Sequence, residues 1–230
     1  MKKLLMILVG AALMSALASP AMASLTWDYL FADGDGTSLT SPYPGAIVDT
    51  FSGTRPGWTY TGNAVIYTSD VANKASAPWS ALDNAKDNTP YLAVPSDGTS
   101  SGFPYVVTVD FGAGSLNYLG LHWGSMDAYN QIEFLSGGIG GSVVETITGD
   151  QVWINDGPAG GQAILNTNQY VNFFSTSAFD AIKITSFGQP GYPDTSAPYA
   201  FELDNLTIIP EPATICLLGL GALSLVRRKK

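Results

Sequence analysis

FPYVVTVDF, residues 103–111, decides the fold of this chain. Phe103, Tyr105, Val107, Val109 and Phe111 recur with a period of two, and Pro104, Val106, Thr108 and Asp110 fall opposite them. Strict alternation over nine residues predicts a β-strand with one face in a core, because successive strand side chains point to opposite sides. The same rule extends outward. LNYLGLHW (116–123) sets Leu119, Leu121 and Trp123 inward, and YNQIEFL (129–135) sets Ile132 and Phe134 inward with Gln131 and Glu133 outward. LTWDYLF, NAVIYT, SVVETIT, QYVNFF, DAIKITSF and YAFELDNLTI are further strand candidates, with Gly, Pro, Asn and Asp between them. No segment has a helical period. The chain therefore predicts an all-β fold, a single jelly-roll-like β-sandwich of about ten strands. Two connections exceed what turns require: GGIGG (137–141), read as a flexible hairpin loop, and WINDGPAGGQAILNTNQ (153–169), long for a compact domain.

The last candidate strand changes phase. Phe201 and Leu203 share one face, whereas Leu206 and Ile208 continue on the other. Either the strand slips by a residue, through a bulge near Asp204–Asn205, or it is covered on both faces.

Both chain ends differ from this body. Lys2 and Lys3, an apolar stretch from Leu4 to Leu17 and Ala21-Met22-Ala23 form a signal peptide over residues 1–23, cleaved between Ala23 and Ser24. The sandwich then occupies 24–209. Residues 210–230 read Pro210-Glu211-Pro212, an apolar run from Ala213 to Val226, and Arg227, Arg228, Lys229 and Lys230. Fourteen helical residues cover about 21 Å, short of a hydrocarbon core about 30 Å thick. Pro210 and Pro212 oppose extending that helix backward. The four cations stay cytoplasmic as a stop-transfer signal. The tail is thus a marginal, transient inner-membrane anchor that holds an extended Pro-Glu-Pro outside the bilayer.

Between the ends the only cations are Arg55, Lys74, Lys86 and Lys183, against every acid of the chain but Glu211, a net charge of −14. Such a body disfavours nucleic acid and anionic lipid headgroups. Its single cysteine, Cys216, lies in the tail, so neither a disulfide nor thiol chemistry is available to the body.

Four constellations could carry chemistry. FADGDGTSL (31–39) resembles a calcium loop, but the EF-hand pattern fails at both ends, where Phe31 and Pro42 stand. A looser structural calcium site would combine Asp33 or Asp35 with backbone carbonyls and Asp204. ELDNLT (202–207) matches the first half of the E-x-D-x-x-E pattern of laminarinase-type glycoside hydrolases, with Thr207 where the second glutamate belongs. That leaves Glu202 and Asp204 as the best carboxylates for a glycosidase, which needs a pair. His122 with Ser125 and Asp127 suggests a triad, yet an extended strand turns His122 away from the core, where a surface histidine is expected, and no G-x-S-x-G elbow exists. Trp153, beside Asn155 and Asp156 on the long connection, is the best candidate for stacking on a sugar ring.

The order Pro-Glu-Pro, short apolar segment, basic end resembles the PEP-CTERM sorting signal of Gram-negative bacteria. That resemblance implies processing by an exosortase at or near Pro210-Glu211-Pro212 and delivery to the cell surface or matrix, commonly alongside exopolysaccharide. YLGLHWGSMDAYNQIEFL, YVNFF and AFELDNLTI look like a group of exosortase-dependent surface proteins of unknown biochemistry, in which an aromatic residue often stands at the place of His122. The expected function is a non-enzymatic surface or matrix protein that associates with extracellular polysaccharide or with itself. The alternatives are a carbohydrate-binding module and, behind it, a glycosidase.

Overall fold

The computed structural model describes residues 24–29, 40–53, 56–72, 74–80, 85–94, 104–112, 114–152, 167–187 and 200–210. The signal peptide and the tail beyond Pro210 lie outside them. Two antiparallel sheets pack face to face. The smaller contains β3 (Thr59–Gly62), β8 (Tyr105–Asp110), β10 (Asn130–Ser136), β11 (Ser142–Thr148) and β13 (Ala181–Ser186), in the order β11-β10-β13-β8-β3. The larger contains β1 (Leu25–Asp28), β4 (Val65–Tyr67), β7 (Tyr91–Val94), β9 (Leu116–Gly124), β12 (Gln169–Phe179) and β14 (Phe201–Pro210), in the order β1-β12-β9-β14-β7-β4. β2 (Ile47–Asp49) also pairs with β14. A short ribbon, β5 (Trp79–Ser80) with β6 (Ala85–Lys86), lies outside both sheets.

The alternation read in the sequence places the core. Tyr105, Val107, Val109 and Phe111 from one sheet meet Leu119, Leu121 and Trp123 from the other, with Ile132, Phe134, Ile182 and Ile184, in one buried cluster. Trp123 stacks on Phe201 with ring centroids 4.6 Å apart. Each fully buried side chain of this size contributes about 1.5–3 kcal/mol. Among the described residues fourteen strands stand where about ten are expected. The additional ones, such as β3, β5 and β6, run for only two to four residues and are too short to display a period.

β14 resolves its phase change in both of the ways open to it. Its register against β9 shifts between Asp204 and Thr207, and Asn205 takes a left-handed φ of 51°. That bulge returns Leu206 and Ile208 to the core beside Phe201 and Leu203. It also changes partner there: residues 201–203 pair with β7, and residues 206–208 pair with β2. The opposite face is covered too, since Glu202, Asp204 and Thr207 are all buried.

The registers define two poles. Leu116, Phe179 and Pro210 end one sheet where Asp110, Leu135 and Ala181 end the other. Gly124, Gln169 and Phe201 lie at the opposite end, with Tyr105, Asn130 and Ser186. Pro210 thus marks one pole, and β14 crosses the sandwich from the other over about 30 Å. The 137–141 hairpin joins β10 to β11 at the Pro210 pole. It is not a loose loop: the Asp180 carboxylate accepts the backbone N–H groups of Gly137 and Gly138, both at positive φ.

Candidate functional site

The outer face of β9 and β14 carries the concentration of chemistry. Alternation puts Glu202 and Asp204 opposite Leu203, and the antiparallel register sets Asp204 against His122. This face is covered by the described part of residues 69–89 (69–72, 74–80 and 85–89), through Ser76, Pro78, Trp79, Asp87 and Thr89. Ala75 and Ala77 of this segment pack with Tyr91 and Ala93 of β7 and with Ala200 in a second, small core. The cover is close. A Cβ on Gly124 would meet Pro78 at 2.9 Å, and Trp79 N–H donates to Asn168 Oδ1, which also accepts Ser125 N–H.

The covering segment supplies donors to the buried carboxylates. Ser76 N–H donates to Glu202 Oε1 at 3.0 Å. Thr89 Oγ1 lies 2.6 Å from Asp87 Oδ1 and 2.7 Å from Asp204 Oδ2. One hydroxyl has one proton, so both contacts hold only when a carboxyl oxygen itself donates to Thr89. Burial pushes Asp204 up to about 7, against the hydrogen bonds from Thr89 and Asn205 N–H, and the Asp87 charge pushes it further. Glu202 rises to about 8, through burial first, with the Ser76 N–H opposing and the charges of Asp127 and Asp70 adding. Asp127, on the turn after β9, rises to about 6 through burial, although the Tyr129 hydroxyl donates to it at 2.5 Å. The cluster is a set of carboxyls that burial keeps partly protonated near neutral pH. Asp70 at its rim behaves oppositely. Burial pushes it up, but Lys86, the Ala77 N–H and the Ser76 hydroxyl together hold it below the usual carboxylate range.

His122 corrects the sequence reading. It is fully buried rather than on the surface, because residues 69–89 cover its face of β9. Among the described residues neither ring nitrogen has a hydrogen-bond partner, and the nearest carboxylate oxygen, Asp87 Oδ2, is 4.0 Å from Nδ1. Burial pushes the imidazole down, outweighing the attraction of Asp87 and the polar backbone at Trp79, so His122 is neutral and makes no ion pair. It forms no triad: Ser125 approaches Asp127, at 3.5 Å, and not the imidazole.

The other candidates separate. Glu202 and Asp204 share one face of β14, but they are 4 % and 1 % exposed. Asp33 and Asp35 lie outside the described residues, so the calcium expectation reduces to Asp204. Among the described residues no group of three or more His, Cys, Asp or Glu is disposed to hold a metal. Trp153, Asn155 and Asp156 also lie outside the described residues, and the connection that bears them leaves from Val152 and returns at Thr167, both buried at the pole opposite Pro210. Asp87, Thr89, Ser76 and Asn168 belong to the site without having been singled out in the sequence. They sit in aperiodic stretches, and their signal was indirect: two acids alternating with core residues in a central strand require a cover.

Ser24 begins the described chain and is tied to Thr176, its N–H donating to the hydroxyl at 2.9 Å. Pro210 ends it, the last residue of β14, opposite Leu116. Glu211, Pro212 and Arg227 to Lys230 lie beyond. Among the described residues no helix is long and apolar enough to cross a membrane.

No curated protein matches the chain significantly. Solved structures with similarity include chitosan-binding module 1 of a chitosanase/glucanase from Paenibacillus sp. IK-5, at 14 % identity and a TM-score of 0.33, covering 64 % of this chain and 93 % of that one. The family 32 carbohydrate-binding module of NanJ from C. perfringens, solved with galactose, gives 15 % identity and a TM-score of 0.33, over 65 % of this chain and 98 % of that one. The adhesin domain of Epf from Streptococcus pyogenes gives 11 % identity and a TM-score of 0.27, over 81 % and 57 %. Residues 209–230 match the family model of the PEP-CTERM protein-sorting motif, which marks the chain for export, a transient membrane-anchored step and exosortase processing, with a surface or extracellular destination.

Proposed function

We propose that this is a non-enzymatic surface or matrix protein whose sandwich, once processed, associates with extracellular polysaccharide or with further copies of itself. The observation that carries this reading is the continuity of β14. One strand holds the carboxylates most suited to catalysis, Glu202 and Asp204, sealed beneath residues 69–89, and runs on into the sorting motif at Pro210. A central strand that serves as core, cover and tether suits a presented module better than an open catalytic cleft. Deleting residues 210–230 removes the protein from its normal location; unchanged localisation overturns the reading. Turnover of purified exopolysaccharide that Glu202→Gln abolishes would overturn its non-enzymatic part.

A second reading, a carbohydrate-binding module, draws on the position of the long connection. Val152 and Thr167 bracket it at the pole away from Pro210, the pole that a tethered protein turns outward. Binding on a glycan array that Trp153→Ala eliminates selects this reading. Binding that survives the substitution removes Trp153 from it.

A further inference from the structure

We infer that the Pro210 pole of the sandwich is a lipid-contacting surface: the unprocessed protein stands end-on, with this pole in the headgroup layer and the opposite pole turned away. The inference rests on the sorting reading, because it needs residues 213–226 in the bilayer.

Chain length forces the contact. Pairing holds β14 in the central part of the larger sheet as far as Pro210, which lies opposite Leu116. The apolar run begins at Ala213, so only Glu211 and Pro212 separate the last paired residue from the bilayer segment. From Pro210 to Ala213 is three residue steps, at most about 11 Å when fully extended. The headgroup layer on each side of the hydrocarbon is itself about 5–7 Å thick. That reach exceeds the layer by only a few ångströms, which keeps the pole of the sandwich at its surface. The apolar run is also shorter than the hydrocarbon it must cross, which draws the tether inward.

The pole is built for such a place. Ile139 crowns the hairpin between β10 and β11 and is 42 % exposed. Val143 is exposed near the start of β11. Ile47, also exposed, sits opposite Ile208 on β2, two residues from Pro210. The hairpin presents its isoleucine on a fixed support, because Asp180 binds the backbone N–H groups of Gly137 and Gly138. The acids here are engaged: Asp180 in that way, and Asp110 by accepting Gly112 N–H. Phe187, by contrast, is exposed just past β13 at the far pole.

The test uses residues 24–230 with Cys216→Ala, reconstituted into phosphatidylethanolamine/phosphatidylglycerol vesicles. An environment-sensitive fluorophore is attached at Ile139→Cys or, in a second variant, at Phe187→Cys, and doxyl-labelled lipid is the quencher. Co-flotation with vesicles reports anchoring separately. The expected result is several-fold stronger quenching at 139 than at 187. A Gly/Ser spacer of about twelve residues after Pro212, long enough to lift the body off the surface, abolishes the difference while flotation persists. Equal quenching at both positions, or none at 139 in floated protein, overturns the end-on orientation and leaves the sorting reading intact. Failure to float overturns the anchor itself.

Discussion

Trp123 and His122 are neighbours on β9, equally buried and turned to opposite faces, and Trp123 Nε1, like the His122 ring nitrogens, has no hydrogen-bond partner among the described residues. Trp123 faces the other sheet and stacks on Phe201; His122 faces residues 69–89. The same contrast repeats on β14 between Leu203 and Asp204. Burial on the inner face comes from two sheets meeting, and transfer of apolar area stabilises it. Burial on the outer face comes from an irregular segment that brings its own N–H and hydroxyl groups. Those groups satisfy part of what burial costs, and retained protons offset part of the rest. Equal burial therefore has opposite energetic meaning on the two faces, and substitutions should separate them.

The largest expected effect is on the inner face. Trp123→Ala leaves a cavity beside Phe201 and should cost about 3–5 kcal/mol, read as a fall in the midpoint of urea unfolding. A loss below ~1 kcal/mol would mean that the two faces do not differ as described. Gly124→Ala sharpens the comparison at the outer face. Its new Cβ would lie 2.9 Å from Pro78, so residues 69–89 must shift. The expected loss is about 1–3 kcal/mol, with amide exchange accelerating at Ser76 and Trp79 before it changes in the core strands.

A pH titration breaks the comparison differently, because only the outer face titrates. Asp127, Asp204 and Glu202 keep protons, up to about pH 6, 7 and 8, that the unfolded chain has released near its ordinary carboxylate values. The folded state thus binds more protons than the unfolded one. Stability is fullest near pH 4 and is lost as pH rises through those three values. His122 acts in the opposite sense below its ordinary 6.5, where the unfolded chain takes up a proton that the buried ring refuses. The part of the decline that the carboxyls set without opposition from His122 therefore falls between about pH 6.5 and 8. Glu202→Gln keeps an acceptor for the Ser76 N–H and removes the highest of these titrations. It should raise Tm above that of the parent protein at pH 8.5 and flatten the upper limb. Parallel profiles for the two proteins would show that Glu202 is not the group responsible.

What was legible in the sequence follows the same division. Period-two alternation located the inner face of β8, β9 and β10 residue by residue, because each strand runs for six residues or more, and on β14 it located the phase change while leaving its cause open. The outward-facing reading of His122 was correct about direction and wrong about exposure. Alternation reports which way a side chain points, not what lies over it. Residues 69–89 have no period, and their donors act through one backbone N–H at Ser76 and one hydroxyl at Thr89, so neither residue stands out in the sequence. The glycine-rich hairpin misled for a related reason. Composition suggested looseness, whereas Asp180, some forty residues away in the chain, pins it.

Asn205 tests whether the two faces depend on one backbone feature. Its φ of 51° lies in the left-handed region, where a β-carbon is disfavoured and asparagine is among the tolerated residues. The turn it makes lets Leu203 and Leu206, three residues apart, both point inward, and it lets β14 exchange β7 for β2. Without it, one pair of core residues would leave the core, and Thr207, which accepts the Tyr170 hydroxyl at 2.8 Å on the outer face, would turn inward. Asn205→Ala keeps every one of these contacts and strains only the backbone, so its expected cost is about 1 kcal/mol. Asn205→Gly should stay within a few tenths, since glycine accepts the same φ. If alanine and glycine behave alike, the bulge is set by packing on its two faces rather than by the residue that makes it.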